Sequence, residues 1–597
     1  MRRRSDAWTA TLAVGVMIAC QRSPTDLRGG AGDVEGDQVG SARTADRSEI
    51  RLPLETTIPT LDPAAAQDAV SQRVTGQLFD TLLDWDPYAS PPRLVAELAE
   101  VPAPAEVADG APLVLRFRGG AEARRFAADP CLTGADAAKL GRAVRPSDAA
   151  ASLLRHTDPA IPGAWELLAG RVVGLDAWRD APADGRPPSP VGIVADDEAG
   201  TLTLRLTRPQ PELLAILASP RLAVAPPECV AYYDGRDAAH PPFARHPVGS
   251  GPYALDHAAT ELPRAAVLVA NAAAPRAPMP SPPGAALPCA TQPGIERVIL
   301  EHYASPEAAL RLFQAGTVAA FAPGQAHFDE VIEGGALRPG ATPADARIVR
   351  EPVLSTTLLV FRMSDAKIGR SDDPARDRAH RELRYAIAAA FDDARYRKVI
   401  RNDAWATPAT QVTPRALLDR GAVLHPAAAP DRPRPRPLAA PARLRYMTAT
   451  GPAAQQEAAI LREALRPIGV ELEVVHDDLY LSKLLSGQAE AQLFALRYDA
   501  DYPDAASFLD PFVCAHPGNY SGYCSPAYDA AHARFAALAP GDARDAAAAQ
   551  LERILGADVP VRPIDTPELW LVTRGWLGNV VRHPLSGLRV ELLCRAP

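Results

Sequence analysis

Residues 444–474 read LRYMTATGPAAQQEAAILREALRPIGVELEV and carry the clearest local fold signal in the chain. Residues 444–447 have strand composition, residues 452–466 place apolar side chains at helical spacing, and an alternating strand pattern follows Gly469. Glycine directly after a helix favours the left-handed conformation that ends it. A strand, a helix and a second strand in this order predict a parallel βαβ unit.

The same two periodicities recur along the 597 residues and predict a mixed α/β chain without internal repeats. The strand-like runs lie at 50–60, 113–117, 202–206, 298–300 and 358–361, and further helical runs lie at 68–83, 147–155, 306–315, 381–395 and 543–555. The proline-rich and alanine-rich stretches at 272–288 and 426–441 are expected to be extended surface connections. The length exceeds one core and suggests three or four folding units.

The N-terminus predicts export. Three arginines at positions 2–4 precede an apolar stretch at 7–19, which is too short to span a membrane and ends at Cys20. The sequence Met17-Ile18-Ala19-Cys20 resembles a bacterial lipobox, so Cys20 is expected to become the lipidated first residue, and an ordinary cleaved signal with an incidental cysteine is the alternative. Residues 21–47 are expected to form a flexible tether, with no other contact with the membrane.

Charge and cysteine content limit the possible partners. The formal net charge of −9 argues against nucleic acid. Six cysteines follow Cys20, which permits up to three disulfides in an exported chain. Pairing is favoured from sequence only for Cys514 with Cys524, and free buried thiols remain the alternative for the others. No second pair of ligands stands at zinc spacing, so no metal site is expected.

The sequence offers no catalytic pattern. Gly249-Ser250-Gly251 lacks the Gly-x-Ser-x-Gly spacing of a nucleophile elbow, and no His-Glu-x-x-His helix is present. Five of the twelve histidines precede proline and belong to turns or extended segments. The chain is therefore expected not to be an enzyme and to need no cofactor.

Several separated motifs together resemble one family. They are LDP (61–63), QLFDTL (77–82), HPVGSGPY (246–253), LRYAIAAAFD (383–392) and RYDADYPD (497–504). Their order and spacing resemble the extracytoplasmic solute-binding proteins of family 5, the oligopeptide/dipeptide-binding type that serves peptide and nickel ABC transporters. In the turn at 249–252 we expect the glycines to supply positive φ angles.

The resemblance implies a two-lobed periplasmic-binding-protein fold of the class II type with an extra inserted domain, whose lobes close over a ligand. Lobe I would be discontinuous and would comprise residues 48–88, 205–295 and 560–597. The inserted domain II would occupy 89–204 and lobe III 296–559. A signal peptide at 1–19 and the lipidated cysteine with its tether at 20–47 would precede them.

The resemblance places Asp501 in the cleft, where a carboxylate receives the α-ammonium group of a peptide. The alternative is that Asp501 caps a local turn before Pro503. Tyr498, where the family usually has tryptophan, is expected to lay its ring along the ligand, or else to be a core aromatic.

Three further residues are candidate contacts. Arg497 either binds a ligand carboxylate or pairs with Asp499 on the surface, and the surface pair is favoured. Tyr502 and Asn519 lie in the adjoining segment and complete the expected ligand-binding set.

The resemblance implies a monomeric substrate-binding lipoprotein of an ABC importer in the cell envelope or periplasm. It would capture peptides or a related small solute and deliver them to two permease subunits coupled to an ATPase. Two alternatives remain open: an envelope lipoprotein that senses ligands or acts as a scaffold without transport, and a binder of a non-peptide solute such as a nickel chelate.

Overall fold

The computed structural model describes residues 49–596 except 90–91, 104–110, 135–136, 162–163, 183–186, 188, 236–240, 275–277, 281–292, 304, 325–326, 405, 419–424, 429–434, 478–479, 481–482, 484–489, 517 and 584–586. The predicted signal peptide, Cys20 and the tether lie outside the described residues. No helix in the part of the chain that is described is long and apolar enough to cross a membrane.

Three sheets organise the chain. The first has four strands in the order β1-β9-β8-β7, namely β1 (Glu49–Leu54), β9 (Arg297–His302), β8 (Ala265–Ala270) and β7 (Tyr253–Leu255). β1 and β9 pair in parallel, with Ile50 opposite Val298. The prediction ended this part of lobe I at residue 295, but the sheet also includes β9, which begins at Arg297. An apolar run identifies a strand but not the sheet that the strand joins.

The second sheet has three antiparallel strands within the predicted inserted domain, in the order β4-β6-β5. These are β4 (Leu113–Arg116), β6 (Thr201–Leu204) and β5 (Ile193–Asp196). β6 alternates between buried leucines and half-buried threonines, the pattern of a strand with one face on the core.

The third sheet has eight strands. Its main path is β10 (Ala320–Phe321), β19 (Val561–Thr573), β14 (Ser355–Phe361), β18 (Leu493–Asp499), β16 (Ala442–Thr448) and β17 (Val470–His476), and β13 (Arg347–Pro352) and β15 (Ala406–Pro408) also pair with β19. β16 and β17 are parallel, and Gly469 has φ 85° after the helix between them, which confirms the predicted βαβ unit. β19 was expected in lobe I, but it pairs with β14 in this sheet.

Four two-stranded ladders complete the strands. They pair β2 (Leu83–Trp85) with β3 (Leu94–Ala96), β11 (Ile332–Glu333) with β12 (Ala336–Leu337), β20 (Leu577–Gly578) with β23 (Cys594–Arg595), and β21 (Arg582–His583) with β22 (Gly587–Leu588).

The helix in the predicted run at 68–83 ends early, at Leu78. The described helices include at least one in each predicted helical run and others that the sequence did not predict. They are α1 (Ala69–Leu78), α2 (Ala137–Leu140), α3 (Pro146–Arg155), α4 (Trp165–Leu168), α5 (Leu175–Asp180), α6 (Leu213–Ile216), α7 (Pro227–Asp234), α8 (Pro306–Gln314), α9 (Phe328–Val331), α10 (Pro374–Ala390), α11 (Asp393–Ile400), α12 (Pro452–Leu465), α13 (Ala505–Leu509), α14 (Pro526–Ala536) and α15 (Asp542–Asp558). The run at 381–395 breaks at Phe391, because the Asp392 side chain accepts the Arg395 N–H and starts α11.

The Gly-Ser-Gly turn is held by close packing rather than by positive φ angles, so that expectation was wrong. Neither Gly249 nor Gly251 has a positive φ. A Cβ on Gly249 would lie 1.9 Å from the Leu78 carbonyl oxygen, and one on Gly251 would lie 2.6 Å from the Leu78 carbonyl carbon. The Gly251 N–H also donates to the Leu78 carbonyl at 2.9 Å. The turn therefore fixes β7 against the end of α1 and serves as scaffold.

Two disulfides lie within the described residues. Cys514 pairs with Cys524, the pairing favoured from sequence, and Cys131 pairs with Cys229 across 98 residues. Cys594 is also disulfide-bonded. The long-range pair joins the inserted segment to α7, which sequence spacing could not reveal.

Candidate functional site

Asp501 lies in the loop that connects β18 to α13. The Ala500 N–H donates to the Leu354 carbonyl at 2.8 Å, and the Asp501 N–H donates to Ser507 Oγ at 2.9 Å. The helix that follows is capped by Asp504, whose carboxylate accepts the Ala506 N–H at 2.7 Å. Asp504 rather than Asp501 therefore caps this helix, and the Asp501 carboxylate interacts with the Tyr498 hydroxyl instead.

The partner of Asp501 comes from a distant part of the chain. Arg221 Nη1 lies 3.6 Å from Asp501 Oδ1, and Arg221 Nη2 lies 2.6 Å from Glu166 Oε1. Arg221 belongs to a short 3-10 helix, Pro220–Leu222, and Glu166 to α4. Three segments thus meet at one cluster, in which two carboxylates share one guanidinium.

The electrostatics of the cluster favour an added positive charge. Burial is the main cause that raises the pKa of Asp501 to about 6; the charges of Glu166 and Asp499 add to the rise, and Arg221 and the Tyr498 hydroxyl oppose it. A carboxylate with this pKa is largely ionised at neutral pH. Arg221 and the Tyr498 hydroxyl do not offset the burial of this carboxylate, so an additional cation beside it would be stabilising.

Tyr498 lies beside Asp501 and is half-buried. Its ring meets that of Phe508 edge to face at 5.6 Å between centroids. The same ring lines an apolar gap of ≈ 20 Å³ with Leu358 and Phe512. About 10 to 15 Å³ is needed for one water molecule, so the gap cannot admit a ligand side chain. The buried face of Tyr498 is thus core, and only its remaining edge can reach a ligand.

The other predicted residues do not join the cluster. Arg497 pairs with Asp499 at 3.0 Å on the exposed surface, and Tyr502 is buried, with its hydroxyl 3.3 Å from Asp510 Oδ2. Asn519 donates to the Val513 and Tyr523 carbonyls at 3.1 and 2.7 Å, which commits its amide group to its own loop.

A second polar cluster joins four other positions of the chain and was missed from sequence. Arg171, before β5 in the chain, donates to Glu212 at 2.5 Å and lies 3.9 Å from Asp510, whose other oxygen lies 2.6 Å from His532 Nε2. Burial opposes ionisation of Asp510, but His532 and Arg171 hold its pKa below its usual range. The four residues lie far apart in sequence and form no motif, so only the folded chain brings them together.

A larger cavity of ≈ 650 Å³ lies elsewhere, between β2, β3 and the C-terminal segment, and does not include Asp501. Its volume is in the range of ligand pockets. Its charged walls resemble the Asp501 cluster, because Arg589 donates to Asp84 at 2.7 Å and Arg124 lies 2.5 Å from Glu97 and 3.8 Å from Asp80. The cavity includes none of the ligand contacts that the family resemblance implies, so the candidate site is assigned to Asp501.

One group of side chains resembles a metal site. Asp129, His246 and His257 offer ligand atoms that lie within 4.8 Å of one another. The two imidazole rings are stacked, with centroids 3.6 Å apart and planes 9° from parallel. Their in-plane lone pairs therefore cannot point at one ion, and His246 Nε2 is already 3.0 Å from Asp129 Oδ2.

The arrangement of the three sheets matches a class of fold, the two-lobed periplasmic binding proteins. Residues 141–520 match the family described as bacterial extracellular solute-binding proteins, family 5 (middle region). The chain belongs to this family, which confirms the resemblance. No curated protein sequence matches the chain.

Solved structures of similar fold cover almost the whole chain. The Escherichia coli murein tripeptide-binding protein MppA is 18% identical, with a TM-score of 0.62 over 92% of this chain and 97% of that one. Helicobacter pylori DppA in complex with the peptide STSA is 17% identical, with a TM-score of 0.66 over 92% and 98%. Haemophilus influenzae OppA in complex with RPPGFSPFR is 16% identical, with a TM-score of 0.63 over 92% and 99%.

Proposed function

We propose that this chain is the substrate-binding lipoprotein of an ABC importer and that it captures peptides through Asp501. The observation that carries the proposal is the Asp501 carboxylate, which does not cap the following helix and lies near Arg221 from another segment. Family membership and the peptide-bound relatives support the ligand class.

The chemistry of capture is non-covalent. An ammonium group at hydrogen-bond distance from Asp501 would form a charge-assisted bond, roughly twice as strong as a neutral one. The exposed edge of Tyr498 would flank the ligand. Arg497, Tyr502 and Asn519 are not included in the proposed contacts, because their polar groups bond elsewhere.

The first test compares ligand classes. Purified protein is screened by thermal shift against peptides of two to nine residues, nickel chelates and sugars, since a ligand that binds only the folded state raises the melting temperature. A shift confined to peptides supports the proposal. A shift only with chelates or sugars would retain the fold and reject the peptide.

The second test isolates Asp501. Asp501→Asn should weaken a peptide with a free amino terminus by at least about tenfold, roughly 1.4 kcal/mol, while its N-acetylated form is unaffected. Asp499→Asn is the graded control: this carboxylate pairs with Arg497 on the surface and acts on Asp501 only through its charge, so its loss should weaken the same peptide less than Asp501→Asn does. The affinity of wild type should also fall as pH drops through about 6, where Asp501 takes up a proton. Equal affinities for wild type and Asp501→Asn would remove the residue from the site.

Anchoring and transport need separate experiments. Cys20→Ala should abolish incorporation of labelled fatty acid and release the protein from membranes. Co-purification with permease subunits, and loss of peptide uptake on deletion, would support delivery to an importer. Normal uptake after deletion would favour a sensing or scaffolding role instead.

A further inference from the structure

Arg221 is shared unequally between its two carboxylate partners. Its contact with Glu166 is a hydrogen-bonded ion pair at 2.6 Å, whereas its contact with Asp501 at 3.6 Å is beyond hydrogen-bond distance. The Arg221 side chain is 14% exposed, against 34% for Asp501 and 44% for Glu166. The guanidinium is therefore fixed in place, and the two carboxylates have one face open to solvent.

The cluster carries one negative charge in excess. Asp501 and Glu166 supply two negative charges and Arg221 one positive charge. The neighbouring pair Arg497 and Asp499 is neutral as a unit and lies on the surface. A ligand that reaches Asp501 must therefore bring one positive charge to balance the cluster, and a ligand carboxylate at the same place would be repelled.

We infer that Arg221 is a built-in counter-cation that competes with the ammonium group of the ligand for Asp501 and is retained by Glu166 when the ligand binds. This inference rests on the proposed peptide-binding function and names a residue that sets specificity in it. Before a ligand binds, the positive charge of Arg221 already offsets part of the negative charge of Asp501. This lowers the affinity of the site for weakly binding cations. A ligand ammonium that comes within hydrogen-bond distance displaces this loose contact without breaking the tight one.

The exchange is favourable because the contact that Asp501 loses is weaker than the contact that it gains. Loss of a 3.6 Å contact sacrifices no hydrogen bond, and the new ammonium–carboxylate pair gains one or two charge-assisted bonds. Glu166 keeps Arg221 paired throughout, so no buried charge is left alone at any stage. Glu166 and Arg221 are thus positioning residues that act through Asp501.

The test removes the charge of each neighbour of Asp501 in turn: the positive charge of Arg221 in one variant and the negative charge of Glu166 in the other. Trialanine, tetra-alanine and penta-alanine, each with a free or an acetylated amino terminus, are titrated calorimetrically at pH 8 into purified wild type, Arg221→Gln and Glu166→Gln. Arg221→Gln should tighten the free-amino peptides by about three- to tenfold, and Glu166→Gln should weaken them by a similar factor because Arg221 then turns to Asp501. The acetylated peptides should not respond.

Arg497→Gln is the matched control, because it removes one positive charge four residues from Asp501 without touching it. Because both contacts of Arg221 stay intact, its effect on the free-amino peptides should be smaller than that of Arg221→Gln. A merely structural role would move both variants in the same direction, and that result, or no change in either, would overturn the inference. Glu166 is half exposed, so its variant is informative even where Arg221→Gln folds poorly.

The two proposals fail differently. If Asp501→Asn weakens the free-amino peptides but the Arg221 and Glu166 variants bind like wild type, the counter-cation is wrong and the peptide site stands. If none of the alanine peptides binds wild type, or if Asp501→Asn has no effect, both proposals are rejected.

Discussion

Removal of the two described disulfides should have very different effects on stability. Cys131 and Cys229 are 98 residues apart, and Cys514 and Cys524 are 10 residues apart. In the chain-entropy description, a cross-link stabilises by restricting the unfolded chain, and the effect grows with the logarithm of the loop. Alanine replaces both cysteines of one pair in each variant, so that no lone thiol remains to form a new link.

The magnitudes follow from the two loop lengths. At 25 °C the relation gives about 4.7 kcal/mol for the long loop and about 2.7 kcal/mol for the short one. Burial adds to the contrast, because Cys131 and Cys229 are buried whereas Cys524 is exposed. The Cys131/Cys229 variant should therefore lose about 2 kcal/mol more than the Cys514/Cys524 variant.

The assay is urea unfolding followed by tryptophan fluorescence, with the six tryptophans that follow the predicted signal peptide as probes. The variants are compared by their unfolding midpoints at equal protein concentration. The short-loop variant is the internal control for loss of a disulfide as such. An equal or larger loss in the short-loop variant would refute the argument from loop length.

Three further predictions concern packing and protonation. Gly251→Ala should destabilise the protein by about 1 to 3 kcal/mol, since its Cβ would meet the Leu78 backbone, whereas Gly76→Ala, where the Cβ meets nothing, should leave the melting temperature equal or higher. Burial raises the pKa of Glu97 from 4.5 to about 8, so wild type should lose stability as pH rises between these values. Glu97→Gln should flatten this decline of melting temperature with pH, and an unchanged slope would assign the effect to other groups. Burial lowers the pKa of His425 from 6.5 to about 3, so wild type should lose stability as pH falls across this window. His425→Leu should lose less stability in an acid titration followed by tryptophan fluorescence, and equal acid sensitivity would contradict this.

Local elements of this fold could be predicted from sequence because each depends on nearby residues. The pattern at 444–474 specifies its strands, its helix and the left-handed Gly469 without reference to the rest of the chain. Sheet membership depends on pairing over long distances. β9 and β19 therefore joined sheets other than those expected, although both are recognisable as strands.

The candidate site shows the same difference between features that local sequence predicts and features that depend on the whole fold. Asp501 could be selected because a contiguous motif surrounds it, but its partner Arg221 stands 280 positions earlier in an unremarkable segment. The Gly-Ser-Gly turn was found by its motif, yet the reason for its glycines was a backbone contact with Leu78 that no local rule encodes. Sequence identified the residues that carry a motif, and the fold was needed to show what they touch.

The position of β19 has a consequence for how the chain acquires its structure. This strand lies between β10 and β14 in the interior of the eight-stranded sheet, yet it is the last of the eight strands in chain order. The sheet cannot be completed until residues 561–573 have been synthesised, about 200 residues after β14, and pairings of such high sequence separation form slowly. A chain arrested near residue 560 would leave β14 with an unpaired edge, a template for association with other chains. The newborn protein should therefore depend on chaperones that shield this edge, more than its fully paired native sheet suggests.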